Sequence, residues 1–326
     1  MTTIDTQTEI RLVYDVRLRP VIGSRFQPTG FPDIGAATFE RFEGDGQDKR
    51  VASLLVESVQ SMANRLEATA WDAGAHRPVE LFEGLPYVRV HRASEPDEYL
   101  TSSRVEAHRL ASAYVYEAQL DGRKMRDVIG ERLGLAKDTP LDYAHMARAL
   151  MALDPFCLIH GVFFSRKEWL GNPKFARAVS AFIEAYEVER AISGGRKADQ
   201  VRHSLEGSAG GTAEGYGSVP FHRTEWTARD MVASFCVDVE LLRSYRLPDP
   251  ATELLTTIAL WEIRALLCGG MRLRTACDLE PVGPVEVRRG AELPDLDALT
   301  GQIRELVPAC RERLGHGEPL TVLWKG

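Results

Sequence analysis

A chain of 326 residues carries 40 basic and 47 acidic side chains, a formal net charge of −7, and 33 of its 40 bases are arginine. Hydrophobic residues at 44% and charged residues at 27% exclude a disordered or collagen-like chain. The length corresponds to about two domains, or to one domain with large insertions. Acidity argues against a surface coated in positive charge but leaves room for a basic groove, because net charge says nothing of where charges sit. No stretch approaches the roughly 18 apolar residues of a membrane span. The N-terminus, with Asp5 and Glu9 among threonines, lacks the basic and apolar regions of a signal peptide. Cys157, Cys236, Cys268, Cys277 and Cys310 form an odd set without a C-x-x-C pair. They read as small buried hydrophobes in a protein of the reducing cytoplasm.

In chain order, Ile10, Leu12, Tyr14, Val16 and Leu18 alternate with Arg11, Val13, Asp15, Arg17 and Arg19, the period of a half-buried strand. The run 23–33 is too rich in glycine and proline to continue it. A helix is expected at about 50–70, its stripe Val51, Leu55, Val59, Met62 and Leu66 facing the core. Residues 72–152 mix helical and extended patterns, with an amphipathic stretch near 141–152, and read as an insertion. The run 156–164 reads as a buried strand, while 176–188 fits a helix or a strand equally. A glycine-rich loop is expected over 193–218, followed by strands at 219–223 and 231–242. The next helix opens with Asp249 as N-cap and Pro250 at the first position. It buries Leu254, Leu255, Ile258 and Leu266 and stops at Gly269-Gly270. A strand near 282–288, a helix near 295–314 and a last strand at 320–324 complete an α+β chain, an antiparallel sheet backed by two or three helices.

Enzyme signatures are missing from the sequence. There is no G-x-x-x-x-G-K-[ST] loop, no H-E-x-x-H and no G-x-S-x-G elbow. Cys157 with His160 supplies two ligands where zinc takes four, or three plus water, so neither a metal nor a cofactor is expected. What recurs instead is arginine beside glycine and small polar residues: Ser24 and Arg25; Gln60, Ser61, Asn64 and Arg65; Arg104, His108 and Arg109; Arg272 and Arg274. The guanidinium fork suits phosphate, hydroxyls and amides fill its remaining acceptor sites, and glycine lets a polyanion approach the main chain. Phe26, Phe31, Tyr216 and Phe221 lie nearby and are of a type that stacks on unpaired bases.

Several blocks carry a resemblance. Gly23-Ser-Arg-Phe-Gln-Pro-Thr-Gly-Phe-Pro-Asp33, Leu55 to Glu67, Thr101 to Leu110, Asp154-Pro155 with His160 to Phe163, Ser180 to Ala185, Gly217 to Arg223 and Arg272 to Leu279 resemble the backbone subunit of the type I-G (formerly I-U) CRISPR Cascade complex. That family lies in the RAMP superfamily. The resemblance implies an RRM-like (ferredoxin-like) antiparallel-sheet palm with a helical finger insertion and a glycine-rich thumb. The palm would take 1–71, 153–192 and 219–326, the finger 72–152 and the thumb 193–218. It also favours the strand reading of 178–188. The partners implied are a CRISPR guide RNA, target DNA reached through that guide, further copies in a helical filament, a large subunit and a guide-processing subunit; no membrane is involved. The RNA-binding residues it suggests are Ser24, Arg25, Gln27, Gln60, Ser61, Asn64, Arg65, Arg104, His108, Arg109, Arg196, Lys197, Arg202, His222, Arg223, Arg272 and Arg274. Arg196 stands where the family leads one to expect a small or aliphatic residue. The alternative within the superfamily is an endoribonuclease using Asp33 with His108 or His222.

Overall fold

The computed structural model describes residues 6–31, 33–43, 49–197, 200–201, 219–314 and 317–326. Strand β1 (Arg11–Pro20) buries Leu12, Tyr14, Val16 and Leu18 on one face and turns Asp15 and Arg17 to the other, as its alternation predicts. The 50–70 segment is not one helix. Strands β2 (Thr38–Glu43) and β3 (Lys49–Glu57) pair antiparallel, and Ser58 then starts helix α1 (Val59–Thr69) by accepting the Ser61 amide at 3.3 Å. Val51, Leu54 and Val56 are buried in the strand, Met62 and Leu66 in the helix. The apolar positions satisfied both periods, and the serine cap decides where one gives way to the other.

Strands β4 (Val88–Arg92) and β5 (Tyr99–Ser102) and helices α2 (Tyr143–Leu153) and α3 (Phe156–His160) follow. Helix α3 replaces the strand expected over 156–164. Its five residues are all buried, which erases any amphipathic period, and Asp154 with Pro155 supplies the helix start: Asp154 Oδ1 accepts the Phe156 amide at 3.1 Å. Gly161 ends it at φ 80°, where a Cβ would lie 2.7 Å from the Phe175 carbonyl oxygen.

Strand β6 (Val179–Lys197) settles the ambiguous 176–188 segment as extended and takes in 193–197, expected as loop. The two strands expected between 219 and 242 are one, β7 (Val219–Asp238), whose last residue caps helix α4 (Val239–Ser244). Helix α5 (Asp249–Gly269) is capped by Pro248, one residue earlier than expected, and ends at Gly270 with φ 81°. Strands β8 (Met271–Arg274), β9 (Cys277–Pro281) and β10 (Glu286–Arg289), helix α6 (Leu296–Ala309) and strand β11 (Leu320–Trp324) complete the order.

The main sheet is antiparallel, in the order β8-β9-β1-β7-β6-β3-β2, with β10 also paired to β1. Helix α1 lies in the connection from β1 to β6, and α5 in that from β7 to β9. Both pack against one face of the sheet. The class is therefore α+β with an antiparallel sheet, as expected. β3 stops pairing with β6 at Tyr186 and β1 stops pairing with β7 at Val232, while β6 and β7 stay in register from Val179↔Val237 to Lys197↔Val219. The hairpin thus leaves the sheet as a two-stranded arm. Glu187, at φ 49°, sits where it departs. The remainder of the expected thumb, 198–199 and 202–218, lies outside the described residues.

A second sheet joins β5, β4 and β11, with β11 parallel to β4 from Leu320↔Val88 to Trp324↔Arg92. The last strand therefore pairs within the 72–152 region rather than in the main sheet. Cys157, Cys277 and Cys310 are buried as expected and Cys236 partly so, but Cys268 is exposed on the last turn of α5. Among the described residues no helix is long and apolar enough to cross a membrane.

Buried polar contacts join the 102–109 segment and α3 to α1 and α5. Ser103 donates to Asp154 Oδ2 at 2.6 Å, Arg109 grips Glu67 with Nε and Nη2 at 3.0 and 2.6 Å, and His160 Nε2 lies 2.9 Å from Glu262. Burial pushes His160 down to about 3 and Glu262 up to about 8, the latter against the opposing pull of Arg104 and Arg109. The pair is thus neutral at pH 7. His160, depressed in the fold, contributes stability that is complete above its unfolded value near 6.5 and is lost as pH falls towards 3. Glu262, raised in the fold, contributes stability that is complete below about 4.5 and is lost as pH rises through 8. The pair's contribution is level between these limits and declines on either side. Denaturant unfolding should show wild-type protein losing up to about 2 kcal/mol between pH 6.5 and 8, a loss missing in Glu262→Gln, which cannot ionise.

Candidate nucleic-acid interface

The loop after β1 is fixed by its own aromatic. Phe26 is 1% exposed, and its backbone exchanges two 2.9 Å hydrogen bonds with Trp226 at the root of the arm. It is a core anchor, not the stacking platform its position suggested. Gln27 donates its amide to the Ala276 carbonyl at 2.7 Å, so the loop is pinned on one side to β7 and on the other to the β8–β9 turn.

Glu57 completes this junction. At 1% exposure it receives Arg274 Nη2 and lies 3.6 Å from Arg65 Nη2. Arg274 also donates to the Gln27 and Val56 carbonyls at 2.8 and 3.3 Å, and Arg65 to the Leu273 carbonyl at 2.7 Å. Both arginines were expected to contact RNA; in the fold Arg274 Nη1 and Nη2 and Arg65 Nη2 are directed at Glu57 and at main-chain carbonyls, and Arg65 Nε has no partner among the described residues. Arg104 and Arg109, expected on the same grounds, are also turned inward, although Arg104 Nη1 and Nη2 have no hydrogen-bond partner among the described residues. Arg109 is bound to Glu67, and Arg104 is 5% exposed with its guanidinium carbon 3.0 Å from the centre of the Phe156 ring.

Glu225 and Trp226 are neighbours on β7 and so face opposite sides of the arm. On the Glu225 side a groove of about 410 Å³ gathers Ser24, Arg25, Arg272 and Thr275. It also holds Glu225 and Asp278, and Arg25 Nη1 lies 3.4 Å from Glu225. On the Trp226 side a larger groove of about 760 Å³ is walled by the 27–30 and 35–38 segments and by the arm. Gln27, Thr29, Arg190, His222, Arg223, Thr224 and Trp226 line it, and no carboxylate does. Register explains most of the set: Arg190 is paired with Trp226, Ile192 with Thr224 and Gly194 with His222, so these side chains share a face, while Arg223 alternates to the Glu225 side, its Nε 3.8 Å from Glu225. Arg190 donates to Thr224 Oγ1 at 3.2 Å and has no ion pair among the described residues. At the rim, Gly30 pairs with Ala36, and a Cβ on Gly30 would lie 2.6 Å from the Gly35 carbonyl oxygen.

Of the residues expected from sequence, Ser24, Arg25, Gln27, His222, Arg223 and Arg272 therefore meet around the arm's root. Arg196 and Lys197 are exposed farther along it, where Phe221 lies across Gly195 and Arg223 over Phe221. Gln60 and Asn64 are exposed on α1 and Ser61 is half-buried there; Asn64 lines a separate cavity of about 200 Å³ with Trp71 and Glu67. His108 is exposed beside Arg109, and Arg202 lies outside the described residues. Arg190, Thr29, Thr224 and Trp226 were missed. Their only sequence signal was a strand period running past 188, and no pattern in the chain states which residues of two strands are paired. Among the described residues no three His, Cys, Asp or Glu side chains group as metal ligands.

These two classes of arginine separate by experiment. Arg274→Ala leaves the buried Glu57 carboxylate short of its main partner, which should cost about 3–5 kcal/mol in denaturant unfolding. Arg25→Ala, which removes a half-exposed arginine 3.4 Å from a Glu225 that keeps Arg223 at 3.8 Å, should cost clearly less, about 1 kcal/mol. Equal costs would contradict the assignment.

The comparisons follow this geometry. Residues 12–190, more than half of the chain, match the sequence model of the family described as CRISPR-associated protein GSU0053. No curated protein matches significantly. Two solved structures are similar at low identity. One is Csc2 of Thermofilum pendens, at 12% identity over 96% of this chain and 80% of that one with a TM-score of 0.30. The other is a chain of a CRISPR RNA-guided surveillance complex in a pre-nicking state, at 10% identity over 93% and 87% with a TM-score of 0.43. The family match over β1 to the first half of β6 agrees with the sequence blocks, and the chain belongs to the CRISPR-associated protein GSU0053 family.

Proposed function

We propose that this chain is the guide-binding backbone subunit of a type I Cascade complex, holding a CRISPR RNA along the root of its arm for pairing with target DNA in antiviral defence. The observation that carries the reading is the groove at Trp226, which presents Arg190 and His222 with hydroxyls and amides and no acid in its lining. Phosphate and sugar contacts of this kind position a strand without reading its sequence, as a subunit serving any guide requires. The strand order β9-β1-β7-β6 with α1 and α5 on one face supports an RRM-like palm. In that reading the arm begins a thumb, and the 72–152 region with β11 forms the finger. Successive copies pack head to tail into an open helical filament, joined by a large subunit and a guide-processing subunit in the cytoplasm. The subunit acts without catalytic residues of its own.

Purified protein titrated with two guides of unrelated spacer sequence should bind both alike, with log Kd rising with log salt by about 0.7 per neutralised phosphate. Arg190→Ala should weaken both guides equally and lower that slope by about 0.7. A strong preference for one spacer, or an unchanged slope, would refute the reading. Cleavage of labelled RNA with Mg²⁺, abolished by Asp33→Ala, would replace it with an endoribonuclease.

A further inference from the structure

We infer that the groove at Trp226 distinguishes ribose from deoxyribose, the Trp226 indole N–H donating to a 2′-hydroxyl of the bound strand; the inference rests on the RNA-binding reading above. Trp226 Nε1 is buried and has no acceptor among the described residues. An indole nitrogen only donates, and a buried donor left unmet is costly enough that most are paired. Trp226 lines the groove, and an acceptor brought there by a bound strand would meet a donor that the described residues leave unpaired.

The nature of that acceptor follows from what else lines the groove. Arg190 offers charge-assisted bonds, for which phosphate oxygens are the stronger takers. Base edges change from nucleotide to nucleotide and give no constant acceptor at one place. The sugar does, and the 2′-hydroxyl, both donor and acceptor, is the group that separates RNA from DNA. Thr29, Thr38, Thr224 and Gln27 lie around the same space and can take the proton that a 2′-hydroxyl must itself donate. The rim is bare main chain at Gly30 and Gly35, which lets a sugar–phosphate chain come close. A volume of about 760 Å³ falls in the range that holds a nucleotide-sized ligand, ~300–1,000 Å³.

The test is fluorescence anisotropy of the full chain with an RNA, a DNA of the same sequence, and that RNA carrying 2′-fluoro groups, which keep the RNA sugar pucker but accept poorly. Wild-type protein should bind RNA about tenfold or more tighter than DNA, with the 2′-fluoro strand close to DNA. Trp226→Phe keeps the ring and loses the N–H; it should weaken RNA about three- to tenfold and leave DNA unchanged. Equal binding of RNA and 2′-fluoro RNA by the wild type would overturn the inference even if Trp226→Phe fails to fold. So would a folded Trp226→Phe protein that keeps the full RNA preference. Failure to bind any strand would instead refute the RNA-binding reading itself.

Discussion

A carboxylate taken out of water needs cations and donors taken in with it, and Glu57, buried at the end of β3, imposes that requirement on three parts of the chain. It draws Arg65 from α1 and Arg274 from β8 to one point. Arg274 then reaches the Gln27 carbonyl, and Arg65 the Leu273 carbonyl. Helix, sheet edge and loop are locked together through one charge. The loop so fixed is the one that bridges to Trp226 and forms a wall of the groove. The groove thus depends on a clamp, Glu57 with Arg65 and Arg274, that lies outside its own lining.

This division of labour resolves the chain's acidity. Many of its arginines are committed to internal partners, as Arg109 is to Glu67 and Arg288 to Asp15. The groove at Glu225 is partly neutralised by its own acids, which hold Arg25. On the Trp226 side Arg190 borders an open groove whose lining holds no carboxylate among the described residues. A chain of net charge −7 disfavours general coating by a polyanion and leaves room for binding at one place.

Much of the frame was legible in the sequence. The alternation from Ile10 to Arg19, the proline start and glycine stop of α5, and the final strand all appear where residue chemistry put them. Two errors have a common cause. At 50–70 the apolar positions fit both a strand and a helix, and at 156–164 complete burial left no polar face to mark a helix. Periodicity reports one covered face and is silent when both are covered. The arginines differ in another respect. Arg25 and Arg274 stand beside glycine or small polar residues alike, but one is exposed and the other meets Glu57 across 217 positions. Burial and partner come from tertiary contact, which local composition does not contain. Arg190 and Trp226 became a site only through strand register.

The central claim, that a guide strand lies along the Trp226 side of the arm's root, is tested most directly by photocrosslinking the protein to RNA containing 4-thiouridine and mapping the attached peptides by mass spectrometry. The account predicts crosslinks within 27–38 and 190–226, with Trp226 and His222 among them. Crosslinks confined to α1 or to the 101–110 segment, with none at the arm, would contradict it.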